Sequence, residues 1–337
     1  MHPRLLAAVC ALSMAALPAA AQSSQTSQSP QVNAGGLVYG QYLYQLKDSL
    51  GAGNQNQFSI QRAYINVLGR FGGGISTRLT TDIAPTGAGN QQIRLKYAFL
   101  ALTPTNSKLT YKFGLVQTPY IDWEETLWDY RMQGAIPVDR LGYMSSADVG
   151  AGVDGRWNNE GVNAQFVIMN GEGYSGGTGD NHKDAGLRVS GRLSKTNDAS
   201  RVGGLRLTGY AGVGKATGGA DRNRFLGILS YKTQQLTLAG EYVSMKDGAI
   251  SGSILSAFGV YRFSGSKAAA IGRVDLLDPD IDTPDNKQTR VIAGLSYQVQ
   301  SNFRVLADVD LVSFEGGATP AQDAIRNRAL LQMQFTF

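Results

Sequence analysis

The sequence predicts an all-β chain: a transmembrane, antiparallel, up-and-down β-barrel of sixteen strands whose third extracellular loop folds inward. Three observations carry this expectation. From Gly36 onward, runs of about ten to thirteen residues alternate apolar and polar side chains at period two. The breaks between runs alternate between short turns and longer polar stretches, as in barrels with short turns at one rim and loops at the other. No apolar run after residue 21 reaches the roughly 18 residues a spanning helix requires, so a membrane crossing here would be made by strands.

The chain begins as an export signal. His2 and Arg4 precede an apolar run from Leu5 to Leu17, and Ala19-Ala20-Ala21 supplies the small-residue cleavage site. Residues 1–21 therefore read as a signal peptide. Cys10, the single cysteine, lies within it, so the exported chain has no disulfide and needs a large closed architecture for stability. Residues 22–35 are rich in Gln and Ser, carry too little apolar surface to fold, and read as a flexible periplasmic tail. Residues 36–337 read as the barrel.

Charge excludes one class of partner. The whole chain carries 31 basic and 26 acidic residues, a net +5, of which only Arg4 leaves with the signal. So small a surplus is no nucleic-acid footprint.

The expected strands are 36–47, 56–71, 74–84, 91–103, 107–118, 147–157, 161–170 and 184–194, then 203–214, 222–233, 235–246, 253–264, 267–277, 287–299, 302–314 and 326–337. An even count places both ends on the short-turn side, the periplasm. In 107–118, Leu109, Tyr111, Phe113 and Leu115 point outward, opposite Lys108, Thr110, Lys112 and Gly114. In 302–314, Phe303, Val305, Ala307, Val309 and Leu311 oppose Arg304, Asp308 and Asp310. Aromatics gather near strand ends, with Phe71, Trp157, Tyr231, Phe263 and Phe303 at one rim and Tyr44, Tyr120, Tyr242 and Phe314 at the other. Such belts sit at headgroup depth, with lipid and lipopolysaccharide as partners. The last strand turns Leu331, Met333, Phe335 and Phe337 outward. With its terminal phenylalanine it resembles the signal by which barrel-assembly machinery recognises outer-membrane proteins, Phe335 and Phe337 being its barrel C-terminal residues.

One stretch breaks the alternation. Residues 119–146 read PYIDWEETLWDYRMQGAIPVDRLGYMSS, with a helical turn that Asp122 caps and Glu125 closes as a capping box. Trp123, Leu127 and Tyr130 fall on one face at helical spacing. Asp122, Glu124, Glu125, Asp129 and Asp139 outnumber Arg131 and Arg140. Folded inward, this third outside loop would set Asp122, Glu124, Glu125 and Asp129 across a narrowed lumen from wall cations, with Trp123 and Arg131 also in the constriction.

The wall side of that pairing comes from the strands' polar faces. They turn Arg62, Arg78, Arg94, Lys96, Lys112, Arg156, Arg188 and Arg192 inward, with Arg206, Arg224, Arg262, Arg273, Arg290 and Arg304 beyond them. Inward acids are fewer: Asp82, Asp154, Glu241, Asp275, Asp308 and Asp310. Rings of Arg and Lys favour anions in pores, and arginine keeps its charge at any working pH.

Three stretches resemble the phosphate-selective porin O/P family: FSIQRAYINVLGRFGGGISTRLTTDI at 58–83, LTYKFGLVQTPYIDWEETLW at 109–128, and GVNAQFVIMNGEGYSGG at 161–177. The resemblance implies a sixteen-stranded homotrimeric channel in the outer membrane of a Gram-negative bacterium, its third loop in the lumen. Where that family often shows paired arginines this chain has Gln61 before Arg62, and residues 171–183 hold Lys183 as their one lysine. The expected solutes are thus small anionic or polar molecules, phosphate among the candidates.

Catalysis and metal chemistry find little support. After export, His182 is the one histidine and no cysteine remains, so neither a base with its orienting partner nor a ligand set is written. No cofactor and no metal is expected. Asp278, Asp280, Asp282 and Asp285 superficially resemble a calcium loop but lack its turn glycine and distal glutamate, and read as a solvated outside loop. The expected function is passive diffusion of small hydrophilic solutes with a mild anion preference. The alternative is a non-conducting barrel acting as scaffold or surface receptor.

Overall fold

The computed structural model describes residues 29–47, 55–86, 89–176, 180–216, 218–319, 322 and 326–337. The expected signal peptide and most of the expected tail lie outside these. Sixteen strands close into one antiparallel barrel in which each strand pairs with its neighbours in sequence and β1 pairs with β16. They are β1 Gln31–Gln45, β2 Asn56–Arg70, β3 Ile75–Pro85, β4 Gln91–Leu102, β5 Leu109–Gln117, β6 Ala147–Trp157, β7 Val162–Met169 and β8 Asp184–Ser194. The second half runs β9 Gly204–Lys215, β10 Asp221–Lys232, β11 Leu236–Asp247, β12 Ile250–Arg262, β13 Ala268–Asp278, β14 Gln288–Gln300, β15 Phe303–Phe314 and β16 Arg328–Thr336.

Two boundaries differ most from expectation. β1 starts at Gln31, because residues 31–34, read as tail, form a ladder with Val67–Arg70 of β2; backbone pairing to a neighbour outweighs their polar composition. The break at 247–252 shrinks to a two-residue turn, Gly248-Ala249, so one long-loop-side connection is tight. The connection 195–203 agrees with the expected break to within one residue, although it is long for the short-turn side. At closure, Gly36 and Phe337 exchange both backbone hydrogen bonds, at 2.8 and 3.0 Å, so the chain's last residue is stitched into the wall.

Alternation sorts the two faces as expected over most of the wall. Phe113 and Leu193 stand out from the barrel at 72% and 63% exposure, while Asp82, Arg206 and Glu241 are buried inside. Two interruptions matter. A bulge in β4 leaves Lys96 unpaired between Leu95 and Tyr97, which face Thr81 and Thr80, and lets both Lys96 and Tyr97 turn inward. In β5, Gly114 has φ of +124°, and beyond it Leu115, expected to face outward, is buried against Tyr97 and Ala147. A Cβ on Gly114 would lie 2.3 Å from the Ala98 carbonyl oxygen, a backbone atom that cannot swing away. Gly114→Ala should therefore destabilise the barrel by about 1–3 kcal/mol, read as a lower thermal unfolding midpoint. It should also disturb the loop that leaves β5 three residues later.

The interior is not wet all round. Ile228, Val243, Ile254, Ile292 and Leu306 point inward from β10, β11, β12, β14 and β15. They pack with Trp123, Leu127, Trp128, Tyr130, Ile136 and Val138 of the segment 119–146. Tyr120, expected in an interfacial belt, belongs to this core and rests against Tyr210 at 5.7 Å between centroids. Each such side chain taken out of water contributes about 1.5–3 kcal/mol, more than an exposed ion pair does. An apolar core between loop and wall, rather than charge alone, holds the loop inside.

Candidate channel lining between the third loop and the wall

The third loop carries two helices, α1 at Ile121–Trp128 and α2 at Pro137–Arg140. The expected capping box does not form. Tyr120 occupies the N-cap position with no side-chain cap, and Asp122 sits inside the first turn. Its carboxylate accepts from Arg201 at 2.7 Å instead, and that of Glu125 accepts from Arg131 at 2.7 Å. A guanidinium is a stronger partner for a carboxylate than a terminal amide. Asp122 and Glu124 still favour the positive end of the helix dipole. Burial works to raise the Asp122 carboxyl, but Arg201 overrides it and holds the group below the usual range.

α1 ends at Asp129 in a left-handed conformation, φ +53°, its N–H bonded to the Glu125 carbonyl. Its carbonyl and carboxylate accept from Arg304, at 2.8 and 3.4 Å, and its carboxylate also from Arg262 at 3.4 Å. The turn takes Tyr130 off the helix, and its hydroxyl meets Ser296 Oγ at 2.7 Å.

The wall anchors the loop along its length. Arg188 donates to the Pro119 carbonyl at 2.9 Å, Lys232 to that of Thr126 at 3.2 Å, and Gln332 to that of Met132 at 2.9 Å. Farther along, Arg140 reaches Asp275 at 2.6 Å and Arg224 donates to the Tyr143 carbonyl at 3.0 Å. These anchors run from β8 to β16. A cavity of about 270 Å³ lies on the other side, between α1 with its following turn and strands β1 to β4. It is lined by Tyr39, Tyr64, Arg78, Lys96 and Tyr97 from the wall, and by Asp122, Glu125, Asp129 and Arg131 from the loop.

The expected lining residues thus divide into groups. Arg78 and Lys96 face the slot. Arg78 lies over the Tyr97 ring at 4.4 Å and donates to Thr80 at 3.0 Å, and Lys96 Nζ lies 3.5 Å from the Tyr64 hydroxyl. Among the described residues neither cation has a carboxylate within ion-pair distance. Arg62 and Arg94 instead share Asp82, at 2.5 and 3.6 Å, and Tyr174 from the fourth loop donates to the same carboxylate at 2.8 Å. Lys112 pairs with Asp154 at 2.5 Å. Arg188 is buried over the Trp123 ring at 4.2 Å and lies beneath the loop. Arg156 and Arg192 sit at the short-turn rim, beside Glu160 and the Asn159 carbonyl.

On the loop, Asp122, Glu125, Asp129 and Arg131 reach the slot. Glu124 lies on the far face of α1, fully buried against Arg273 at 2.9 Å, and Trp123 is in the apolar core. Asp82, Tyr64, Tyr97 and Tyr174 were not anticipated as a group. A strand-by-strand reading turns Asp82 inward but cannot assemble the group, because its members meet only through cross-strand register and the fourth loop. Near the mouth, Asp280 turns its carboxylate onto Thr283 at 2.8 Å and the Asp282 N–H at 3.2 Å, closing its own loop. Neutralising the buried acid, Asp82→Asn, should release Arg62 and Arg94 toward the lumen and shift the reversal potential in a salt gradient further toward the anion limit.

No family model and no curated protein sequence matches the chain. Solved structures do. The anion-selective porin from Comamonas acidovorans superimposes with a TM-score of 0.68 at 14% identity, over 91% of this chain and all of that one. The fold is that of the outer-membrane porins. OprB of Pseudomonas putida shares this porin fold with a TM-score of 0.65 at 10% identity, over 91% of this chain and 94% of its own. In-vitro folded OmpT, an outer membrane protein of Vibrio cholerae described in a trimer form, gives 0.64 at 13% identity, over 92% and 100%. Identities this low carry the fold and leave solute and selectivity to the residues of this chain.

Proposed function

We propose that this chain is an outer-membrane porin of a Gram-negative bacterium, passing small hydrophilic solutes by passive diffusion with a mild preference for anions. Its narrowest part is the slot between the third loop and strands β1 to β4. One observation carries the sign of the preference: among the described residues Arg78 and Lys96 face the slot without a carboxylate partner, whereas Asp122, Glu125 and Asp129 each accept from a guanidinium. Paired charges largely cancel at the distance of a passing ion, and unpaired ones do not. A slot with low-dielectric walls focuses their field.

Phosphate is one candidate solute of the phosphate-selective O/P type, and other small anions suit the same two cations. Residues 1–21 act as the export signal, Phe335 and Phe337 present the assembly signal, and the trimeric form described for the Vibrio relative supports a homotrimer here. Reversal potentials across a planar bilayer in asymmetric KCl test the reading, and the expected sign is that of a chloride-preferring pore. Clear cation preference would remove the anion assignment. Insertion without step conductance would favour the scaffold or receptor alternative. Block of single-channel current by millimolar phosphate would identify phosphate as a bound solute.

A further inference from the structure

Behind the slot, on the face of α1 turned away from it, Glu124 meets a second carboxyl. Glu241 projects inward from β11 opposite Ser256, whose Oγ accepts from Arg273, the guanidinium that also holds Glu124. Both Glu241 oxygens, one Glu124 oxygen and the Tyr120 hydroxyl are buried there without a hydrogen-bond partner among the described residues, and the two carboxyls face each other. Both glutamates are buried, at 0% and 2% exposure. Arg273 of β13 takes one oxygen of Glu124 at 2.9 Å, while no donor nitrogen among the described residues reaches either oxygen of Glu241. The rest of the cluster is paired. Arg273 and Arg140 both hold Asp275, at 2.7 and 2.6 Å, and Ser256 donates to it at 2.7 Å.

We infer that Glu124 and Glu241 share one proton, and that this proton latches the third loop onto the barrel wall. Charge balance requires it. Arg273 and Arg140 supply two positive charges, and Asp275 and ionised Glu124 two negative ones, so the cluster is neutral only while Glu241 and Glu124 keep a proton between them. Two ionised carboxylates in contact in a dry site repel, whereas one proton makes the contact a hydrogen bond. The groups facing the pair are Arg273 and Asp275 from β13, and Tyr120 and Arg140 from the loop. Burial pushes the Glu124 carboxyl above the usual range against the pull of Arg273. A group raised in this way contributes fully below the ordinary carboxyl range, and its contribution is lost as pH rises through the raised value. The latch therefore holds while the pair keeps its proton and opens as pH rises through the raised value, freeing α1 to move across the slot.

The effect on current rests on the channel reading above, but the shared proton does not, so the test has two arms. In the wild-type porin, infrared spectra should show the C=O stretch of a buried protonated carboxyl at neutral pH, lost on alkaline titration. Deuterium exchange of residues 119–146 and flicker in the single-channel current should rise with the same midpoint. In Glu241→Gln, which keeps the hydrogen bond and cannot titrate, the carboxyl band should be missing, and loop exchange relative to wild type should lose its alkaline rise. No carboxyl band at neutral pH, or a band and a loop transition with different midpoints, would overturn the latch. If Glu241→Gln fails to assemble, the two wild-type midpoints decide the matter alone. Absence of any current with the infrared and exchange results intact would sink the channel reading and leave the latch standing.

Discussion

Reversing the two unpaired wall cations, by Arg78→Glu together with Lys96→Glu, should turn an anion-preferring conductance into a cation-preferring one. The size of the effect follows from where these charges sit. A unit charge about 5 Å from a passing ion contributes about 0.8 kcal/mol at the dielectric constant of water and about 3 kcal/mol at an effective value near 20. Screening in physiological salt acts over about 8 Å, so a charge lining the slot is felt and one at the rim is damped. Even at the aqueous limit, exchanging two positive charges for two negative ones changes the anion-to-cation permeability ratio by more than about tenfold. Lys96 lies against the Tyr64 and Tyr97 rings, and Tyr64 can donate to a glutamate placed there, so the substitution leaves no orphaned carboxylate. Arg156→Glu is the control. It makes the same change in charge at the exposed short-turn rim and should move the reversal potential little. Equal shifts from rim and slot variants would mean that net charge, not the slot, sets selectivity.

Arg273→Met should loosen the third loop and lower stability more than any rim substitution. Arg273 is buried and ties Glu124 of α1 to Asp275 of its own strand. It also lies over the Trp128 ring at 5.3 Å, inside the apolar core. Removing one partner of a buried ion pair costs about 3–5 kcal/mol, because the remaining charge stays desolvated and uncompensated. Two carboxylates would be left in that position here, although Asp275 keeps Arg140. The expected outcome is a lower thermal unfolding midpoint with larger, noisier single-channel steps as α1 leaves the wall. Adding Glu124→Gln to Arg273→Met should restore part of the midpoint, since a neutral pair of similar volume is tolerated where a lone charge is not. A double variant no more stable than Arg273→Met alone would place the cost in lost packing on Trp128.

Much of this architecture was legible residue by residue. Period-two alternation is a local property, so strand number, the lipid-facing side and the exceptional stretch 119–146 follow from neighbours in the chain. Alternation failed where the backbone leaves its regular path. Gly114, with positive φ, turned Leu115 inward, and a bulge brought Tyr97 in beside Lys96. The expected helix cap also fails to form, because Asp122 pairs with Arg201, 79 positions away.

The sequence by itself determined sixteen alternating strands and one acidic, aromatic stretch that interrupts them, since each of those statements concerns residues close in the chain. Only the tertiary structure decided which charges remain free inside. Arg78 and Arg94 look alike in the alternation, yet Asp82 on the neighbouring strand takes Arg94 and leaves Arg78 open. Asp122 and Glu124 are two residues apart, yet one faces the slot and the other is sealed against Arg273 and Glu241. The reason is physical: a charge acts through its uncompensated field, and compensation comes from whatever group lies within a few ångströms, however distant in sequence.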